Sequence, residues 1–411
     1  MDMERPPKTG TETAASDAGT SAARIASAET SSEAALAAAK GAWSESEEAV
    51  YTASQWKLMR RRFRKHRLAV VSGVVILLLY LTAIFAPFIA PYDPYEYDVN
   101  YPFQQPQRIR FIHPERGFNP FRPFAFGMSS SRDPETLRKI YVEDRSNVLP
   151  LRFFVRGFEY KLFGLIRTDL HLFGTTGDRR IMIFGADELG RDVFSKIVYG
   201  TQISMSIGLI GIAFSFVLGL LIGGISGYYG GRVDNVIQRF IEIIRSFPTI
   251  PLWMALTASL PRDWSPVRVY FMITIILSLI GWTGLARVVR GKFLSLREED
   301  FTKAAKLLGA GEFYIIRRHF IPSFMSHIIA AVTLAIPGMI LGETALSFLK
   351  IGLRPPVVSW GVLLQEAQNV RTVANHPWLF LPALLVVITV LAFNFLGDGL
   401  RDAADPYGRR G

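Results

Sequence analysis

Side chains able to do chemistry are few and scattered in this chain. The six histidines, His66, His113, His171, His319, His327 and His376, form no HExxH and no paired metal-ligand spacing, and there is no cysteine. A zinc centre, a redox pair and a disulfide framework are therefore not expected. The stretch GISGYYG, Gly224 to Gly230, falls short of the GxSxG nucleophile elbow. GLARVVRGKF, Gly284 to Phe293, departs from a phosphate-binding loop in its spacing, and Phe293 stands where a Ser or Thr would hold magnesium. The chain is expected to be non-catalytic, with no metal or cofactor of its own.

Two polar features stand out against an apolar background. EEDFTKAAKLLGAGEFYIIRRHFIPS, Glu298 to Ser323, carries nine acidic or basic side chains between two long apolar runs. Phe301, Ala304, Ala305 and Leu308 recur there with helical spacing, with Asp300 as the expected N-cap, and Gly309 and Gly311 end the helix. A second helical pattern begins at Glu312, with Phe313, Ile316 and Phe320 on one side, and Pro322 closes it. Helices shorter than about 12 residues are marginal alone in water, so something must hold the first: the protein itself, the lipid interface or a partner's groove. Glu343 is the second feature, a lone carboxylate in an apolar run. It must face protein or a wet pathway, and structural hydrogen bonding and a place on a translocation path are equally compatible with its position.

The elements that carry these residues read as membrane spans. Half of the residues are hydrophobic, and several runs approach the roughly 20 residues needed to cross a bilayer. Six spans are predicted, near Leu68 to Ala90, Thr201 to Gly227, Val236 to Leu260, Val269 to Val289, Ser323 to Leu349 and Trp378 to Gly397. The third is the least regular: Glu242 and Arg245 interrupt it, with an i, i+3 pairing expected between them, and Pro248 and Pro251 break its hydrogen-bond ladder. Kinks are expected at Pro337 and Pro382. Gly219, Gly223 and Gly227 repeat every fourth residue, as do Gly338 and Gly342, which suits close helix packing.

WKLMRRRFRKHR, Trp56 to Arg67, places seven Lys or Arg before the first span, so both termini are predicted to be cytoplasmic, in agreement with Arg287, Arg290, Lys292, Arg401, Arg409 and Arg410. The formal charge of +11 is thereby explained by orientation rather than by nucleic acid. Residues 1–55, rich in Ala, Ser, Thr and Glu, read as a disordered cytoplasmic tail. The juxtamembrane segment and first span occupy 56–90, an extracytoplasmic insertion 91–200, the main transmembrane domain 201–397 with a cytoplasmic loop at 291–322, and a tail 398–411. FNPFRPFAFG, LRFFVRGFEYKLFG and HLFGTTGDRRIMIFGADELGRD carry enough aromatics for the insertion to fold at least in part.

KAAKLLGAGEFYIIRRHFIP resembles the "EAA" signature of ATP-binding-cassette importer permeases, with Ala304, Ala305, Gly309 and Pro322 at the matching positions. GADELGRDVFSKIVYGTQIS, ETALSFLKIGLRPPVVSWG and FNFLGDGLRDAADPYG are similar to the second permease subunit of dipeptide, oligopeptide and nickel importers. Lys303 replaces the signature's Glu, Lys350 a glycine and Ser323 an asparagine, and the segment Pro91 to Ile183 is long for a dipeptide permease. The resemblance implies an all-α, six-helix type I importer permease in a prokaryotic inner membrane. Its expected partners are a homologous permease, two ATPase subunits that hold ATP and magnesium, and an extracytoplasmic binding protein. Phe301, Lys303, Ala304, Ala305, Leu308, Gly309, Arg317, Arg318, His319 and Pro322 would then form the ATPase-coupling element, and Glu343 is the candidate for the path. Two other classes stay open, an ion-coupled secondary transporter without an ATPase and a membrane-anchored scaffold for the insertion.

Overall fold

The computed structural model describes residues 55–404 apart from 114–116, 119–122, 133, 136–138 and 178. The predicted tail lies outside the described residues up to position 54, as do Arg409 and Arg410. The described chain starts with helix α1, Gln55–Lys65. His66 then accepts the Ala69 N–H at Nδ1 (3.1 Å) and caps α2, Arg67–Ile84. A four-residue helix α3, Ala86–Ile89, ends this first apolar segment.

The segment that follows corrects the all-α expectation. A pair of short strands, β1 (Ile112–His113) and β2 (Gly117–Phe118), precedes a three-stranded antiparallel sheet of β3 (Phe124–Arg132), β4 (Lys139–Leu162) and β5 (Ile166–Thr175), with β4 central. Its aromatic and β-branched residues suit a half-buried pleated surface, which helical periodicity in the spans does not reveal. Phe124, Ala125, Phe126, Leu151 and Ile181 are buried at its base.

Beyond it runs α4, Val193–Tyr229, capped by Asp192, whose Oδ2 accepts the Ser195 N–H at 2.8 Å. The predicted third span is not one helix. It divides into α5 (Gly231–Ser246) and α6 (Thr249–Ala258), because Phe247 is extended and Pro248 supplies no N–H to continue the ladder. Arg239 rather than Arg245 pairs with Glu242, at 2.8 Å. Next come α7 (Pro266–Arg297), α8 (Asp300–Leu307), α9 (Glu312–Ile315), a π-helical turn Ile316–Phe320 and α10 (Ile321–Phe348). The chain closes with α11 (Trp360–Glu366), α12 (Val370–Asn375), a 3₁₀ turn Pro377–Phe380 and α13 (Leu381–Ala404).

Among the described residues five helical segments are long and apolar enough to cross a membrane: Arg67–Ile84, Val193–Tyr229, Pro266–Arg297, Glu312–Phe348 and Pro377–Ala404. The α4/α7 pair forms the most extensive helix interface. A Cβ on Gly223 would lie 2.3 Å from the Ala286 carbonyl oxygen, and one on Gly227 would lie 2.7 Å from that of Arg290, so these glycines permit the close approach their spacing suggested. Gly342 is likewise packed, against Trp253 and Leu277, whereas Gly338 faces open space. Within α10 a kink falls at the non-helical Phe324, while Pro337 lies inside the helix, and Pro382 lies at the start of α13, where a missing N–H costs no helix bond.

Candidate functional site

The polar hairpin is built on the end of α7. Glu298 closes α7, and α8 begins with Glu299, not Asp300, as its N-cap residue. Thr302 is the buried residue of α8, and its Oγ1 donates to the Leu296 carbonyl at 2.7 Å, which ties the short helix to the last turn of α7. Phe301 lies 5.9 Å from the His319 ring and 6.5 Å, edge-on, from Phe320. Lys306 sits over the Tyr228 ring at 5.3 Å, and the Tyr229 hydroxyl donates to Glu312 at 2.9 Å, so the end of α4 holds the hairpin from a second side. Gly309 adopts φ +79° and makes the turn, a conformation glycine reaches without the Cβ clash that other residues incur.

The expected apolar stripe is therefore only partly one face. Ala305 packs inward with Ile316 against Phe293, Ile315, Phe320 and Tyr228. Ala304 is exposed, and Leu308 is 87 % exposed beside Leu307 at 89 %. Phe313, expected beside Ile316 and Phe320, instead points outward at 75 % exposure. The π turn causes this. It adds a residue to the helical turn, so Ile315 and Phe320, five apart, both reach the core while Arg317 and Arg318 face outward. His319 is half-buried, and Pro322 is exposed in the first turn of α10. The structure thus gathers Lys303, Ala304, Leu308 and Gly309 on an exposed surface, joined by Leu307, which spacing had not singled out. Thr302 was also missed; a hydroxyl at that position carries no periodic signal.

Further anchors brace this end of the bundle. Arg290 donates to both oxygens of Asp234 at 2.5 Å, and Ser226 donates to the same carboxylate at 2.5 Å. Arg297 donates to the Tyr228 and Tyr229 carbonyls at 3.2 and 3.4 Å, satisfying the C-terminus of α4.

Glu343 is fully buried at the far end of α10. Its carboxylate accepts from Ser347 (2.8 Å), Ser359 (2.7 Å) and Ser204 (3.3 Å). The serines are engaged in turn: Leu353 N–H donates to Ser347, Val362 N–H to Ser359 and Trp360 N–H to Ser204. One carboxylate thereby links α4, α10 and the start of α11.

A buried ionic group, not recognised from the sequence, secures the same end. Asp187 accepts from Lys196 at 2.5 Å and from the Arg191 side chain at 2.7 Å, and both cations reach Glu366, at 2.9 and 3.1 Å. Burial alone would raise the Asp187 carboxyl, but Lys196 and Arg191 outweigh it and hold the group below the usual carboxylate range. Among the described residues no group of His, Asp and Glu could hold a metal ion.

Residues 219–409 match the family described as "Binding-protein-dependent transport system inner membrane component", and residues 54–106 match "N-terminal TM domain of oligopeptide transport permease C". The chain is 39% identical over 228 residues to a dipeptide transport system permease protein of Bacillus subtilis, covering 55% of this chain and 69% of that protein. It is 40% identical over 227 residues to an oligopeptide transport system permease protein of Haemophilus influenzae, covering 55% and 70%. A glutathione transport system permease protein of Escherichia coli is 31% identical over 351 residues, 85% of this chain and 90% of that protein.

Proposed function

The chain belongs to the family of binding-protein-dependent transport-system inner-membrane components, and from that premise we propose how this permease subunit of an ATP-driven importer is coupled and what it carries. Its cargo is a small peptide, the class named by the dipeptide, oligopeptide and glutathione relatives. The subunit pairs with a homologous permease, stands on two ATPase subunits that hold ATP and magnesium, and receives substrate from an extracytoplasmic binding protein. It catalyses nothing itself. α5 and α6 together make the third of six crossings, the termini and the 291–322 loop face the cytoplasm, and the sheet at 91–200 lies outside.

The observation that carries this reading is the two-sidedness of α8. Thr302 and the aromatic cluster fix one side to α7 and α10, while Lys303, Ala304, Leu307, Leu308 and Gly309 stay uncovered on the other. A helix this short, anchored by one face and bare on the other, is suited to a groove on an ATPase, with Lys303, Arg317 and Arg318 facing acidic groups at its rim. ATP-driven closure of the groove then displaces α8, and the two arrangements of the bundle follow from differential binding in the ATPases.

Gly309 gives the test. Nothing lies within 4 Å of a Cβ built there, so bulk at this position meets no atom of this chain, although any side chain carries left-handed backbone strain. Gly309→Ala supplies the strain without the bulk and is expected to retain uptake. Gly309→Trp is expected to abolish ATP-dependent uptake and stimulated ATP hydrolysis while the subunit remains in the membrane. Normal uptake by Gly309→Trp overturns the assignment.

A further inference from the structure

The β4/β5 hairpin ends in a turn that its sequence does not favour. The Leu165 N–H donates to the Leu162 carbonyl at 3.1 Å, and the central residues Phe163 and Gly164 have φ of +53° and +72°. Such turns favour Asn or Gly at the first central position, and a bulky aromatic in the left-handed region is an outlier. The Phe163 ring is nevertheless 59 % exposed, and Leu165 and Ile166 are exposed at 85 % and 59 %. Four consecutive residues thus present an apolar tip whose one aromatic is held in the left-handed region. Strain kept at an exposed aromatic points to a use outside the fold of the hairpin.

The tip meets the end of the first apolar helix. Phe163 packs edge-on against Phe85 at 5.9 Å, and farther back the exposed Phe154, also left-handed at φ +55°, lies 6.4 Å from Phe88. α2 carries an exposed apolar stripe of Leu68, Val71, Val74, Leu77, Leu78, Leu81 and Ile84 along its length. This stripe runs out at Ile84, next to Phe85, and the hairpin tip continues the apolar surface from there.

One step behind the tip, charge changes the character of the surface. Lys161 and Arg167 are direct cross-strand partners, both exposed, and neither pairs with a carboxylate among the described residues. Like charges directly opposite across a sheet repel, and the arrangement becomes favourable when an anion lies between them. Apolar tip, aromatic shoulder and paired cations succeed one another in the order in which a bilayer offers acyl chain, interface and phosphate.

We propose that the β4/β5 hairpin tip inserts into the leaflet at the Ile84 end of the first span, with Phe163, Leu165 and Ile166 among the acyl chains and Lys161 and Arg167 on lipid phosphates. The proposal rests on α2 lying in the bilayer, whichever way the chain is oriented. It gives the long β4 a task apart from substrate contact, that of fixing the sheet to the membrane beside α2.

The absence of cysteine makes the test site-specific. The full chain carrying one introduced cysteine, Leu165→Cys, Leu77→Cys or Ser130→Cys, is labelled with a fluorophore and reconstituted in phospholipid vesicles containing acyl-brominated lipid. Strong quenching is expected at 165 and at 77 and none at 130. Adding Lys161→Glu with Arg167→Glu is expected to remove most of the quenching at 165. Phe163→Asn suits the turn, so it is expected to keep or raise the thermal midpoint while weakening that quenching, which separates membrane contact from folding. A label at 165 as free of quenching as at 130, with 77 quenched, overturns the proposal and leaves α2 in the bilayer. Absence of quenching at 77 overturns α2 as a span and the proposal with it. Protection of 165 only on adding an extracytoplasmic binding protein assigns the tip to protein contact and equally overturns it.

Discussion

Thr302→Val tests how α8 is held. Valine nearly reproduces the shape of threonine, so the buried contact persists while the 2.7 Å hydrogen bond to the Leu296 carbonyl is lost. That carbonyl keeps the Glu299 N–H as a donor at 3.3 Å and is not orphaned, so the loss is one neutral hydrogen bond, about 1 kcal/mol. At RT near 0.6 kcal/mol this raises the open population of α8 by about fivefold. Amide exchange of residues 301–308 in the reconstituted subunit reads the ratio directly, with protection in the middle of α7 unchanged. Thr302→Ser keeps the donor and is expected to lie much closer to the parent. With a looser α8, ATP hydrolysed per peptide taken up is expected to rise. Equal exchange in Thr302→Val and the parent would refute the idea that this hydroxyl anchors the helix.

Other consequences follow from the same geometry. Gly223→Ala places a Cβ 2.3 Å from the Ala286 carbonyl oxygen and is expected to destabilise the α4/α7 interface by about 1–3 kcal/mol, whereas Gly338→Ala, with nothing within 4 Å, is expected to be neutral or mildly stabilising in thermal unfolding. Glu343→Gln is expected to lower thermal stability by about 1–3 kcal/mol as an amide NH2 replaces one accepting oxygen of the serine cradle, with uptake per folded transporter preserved; lost uptake at unchanged stability would instead put Glu343 on the path. Burial pushes the Asp192 carboxyl up to about 6, so the folded state holds its proton more tightly than the unfolded chain does. Its contribution is accordingly most favourable below about pH 4 and is lost as pH rises through 6, and Asp192→Asn is expected to flatten the difference in thermal midpoint between pH 5 and 7.

The apolar spans and the glycine interface were legible because composition and four-residue spacing are local properties. What escaped was set by distant or irregular partners. A 3.6-residue period put Phe313 with Phe320, but the π turn at 316–320 changes the phase and brings Ile315 inward instead. In α8 the period grouped Phe301, Ala304, Ala305 and Leu308, whereas two turns of helix are fixed chiefly by the hydroxyl of Thr302, which no hydrophobic pattern marks. The sheet was expected only as partial order, since β4 finds β3 and β5 through long-range pairing and the tip Phe163–Gly164 lacks the Asn-Gly signal. Glu343 was conspicuous for its cost in an apolar run, yet its ligands Ser204 and Ser359 lie 139 and 16 residues away.

α10 is constrained at its two ends by different physics, which bears on how a displacement of α8 can spread. At the hairpin end Phe320 and Phe324 pack on Phe293, and Phe320 also meets Phe301 and Tyr228, so α4, α7, α8 and α10 share one aromatic cluster. Such contacts tolerate sliding, since ring packing is attractive over a range of offsets. At the other end Glu343 is tied to Ser347 and Ser359 by short hydrogen bonds that weaken with misalignment as well as with distance. A load on α8 therefore meets an adjustable contact first and a directional clamp last. Between them, inside α10, lies Pro337, which contributes no N–H to the ladder. The backbone is thus least braced between the sliding cluster and the fixed clamp, and a tilt of α10 relative to the hairpin costs least at that point.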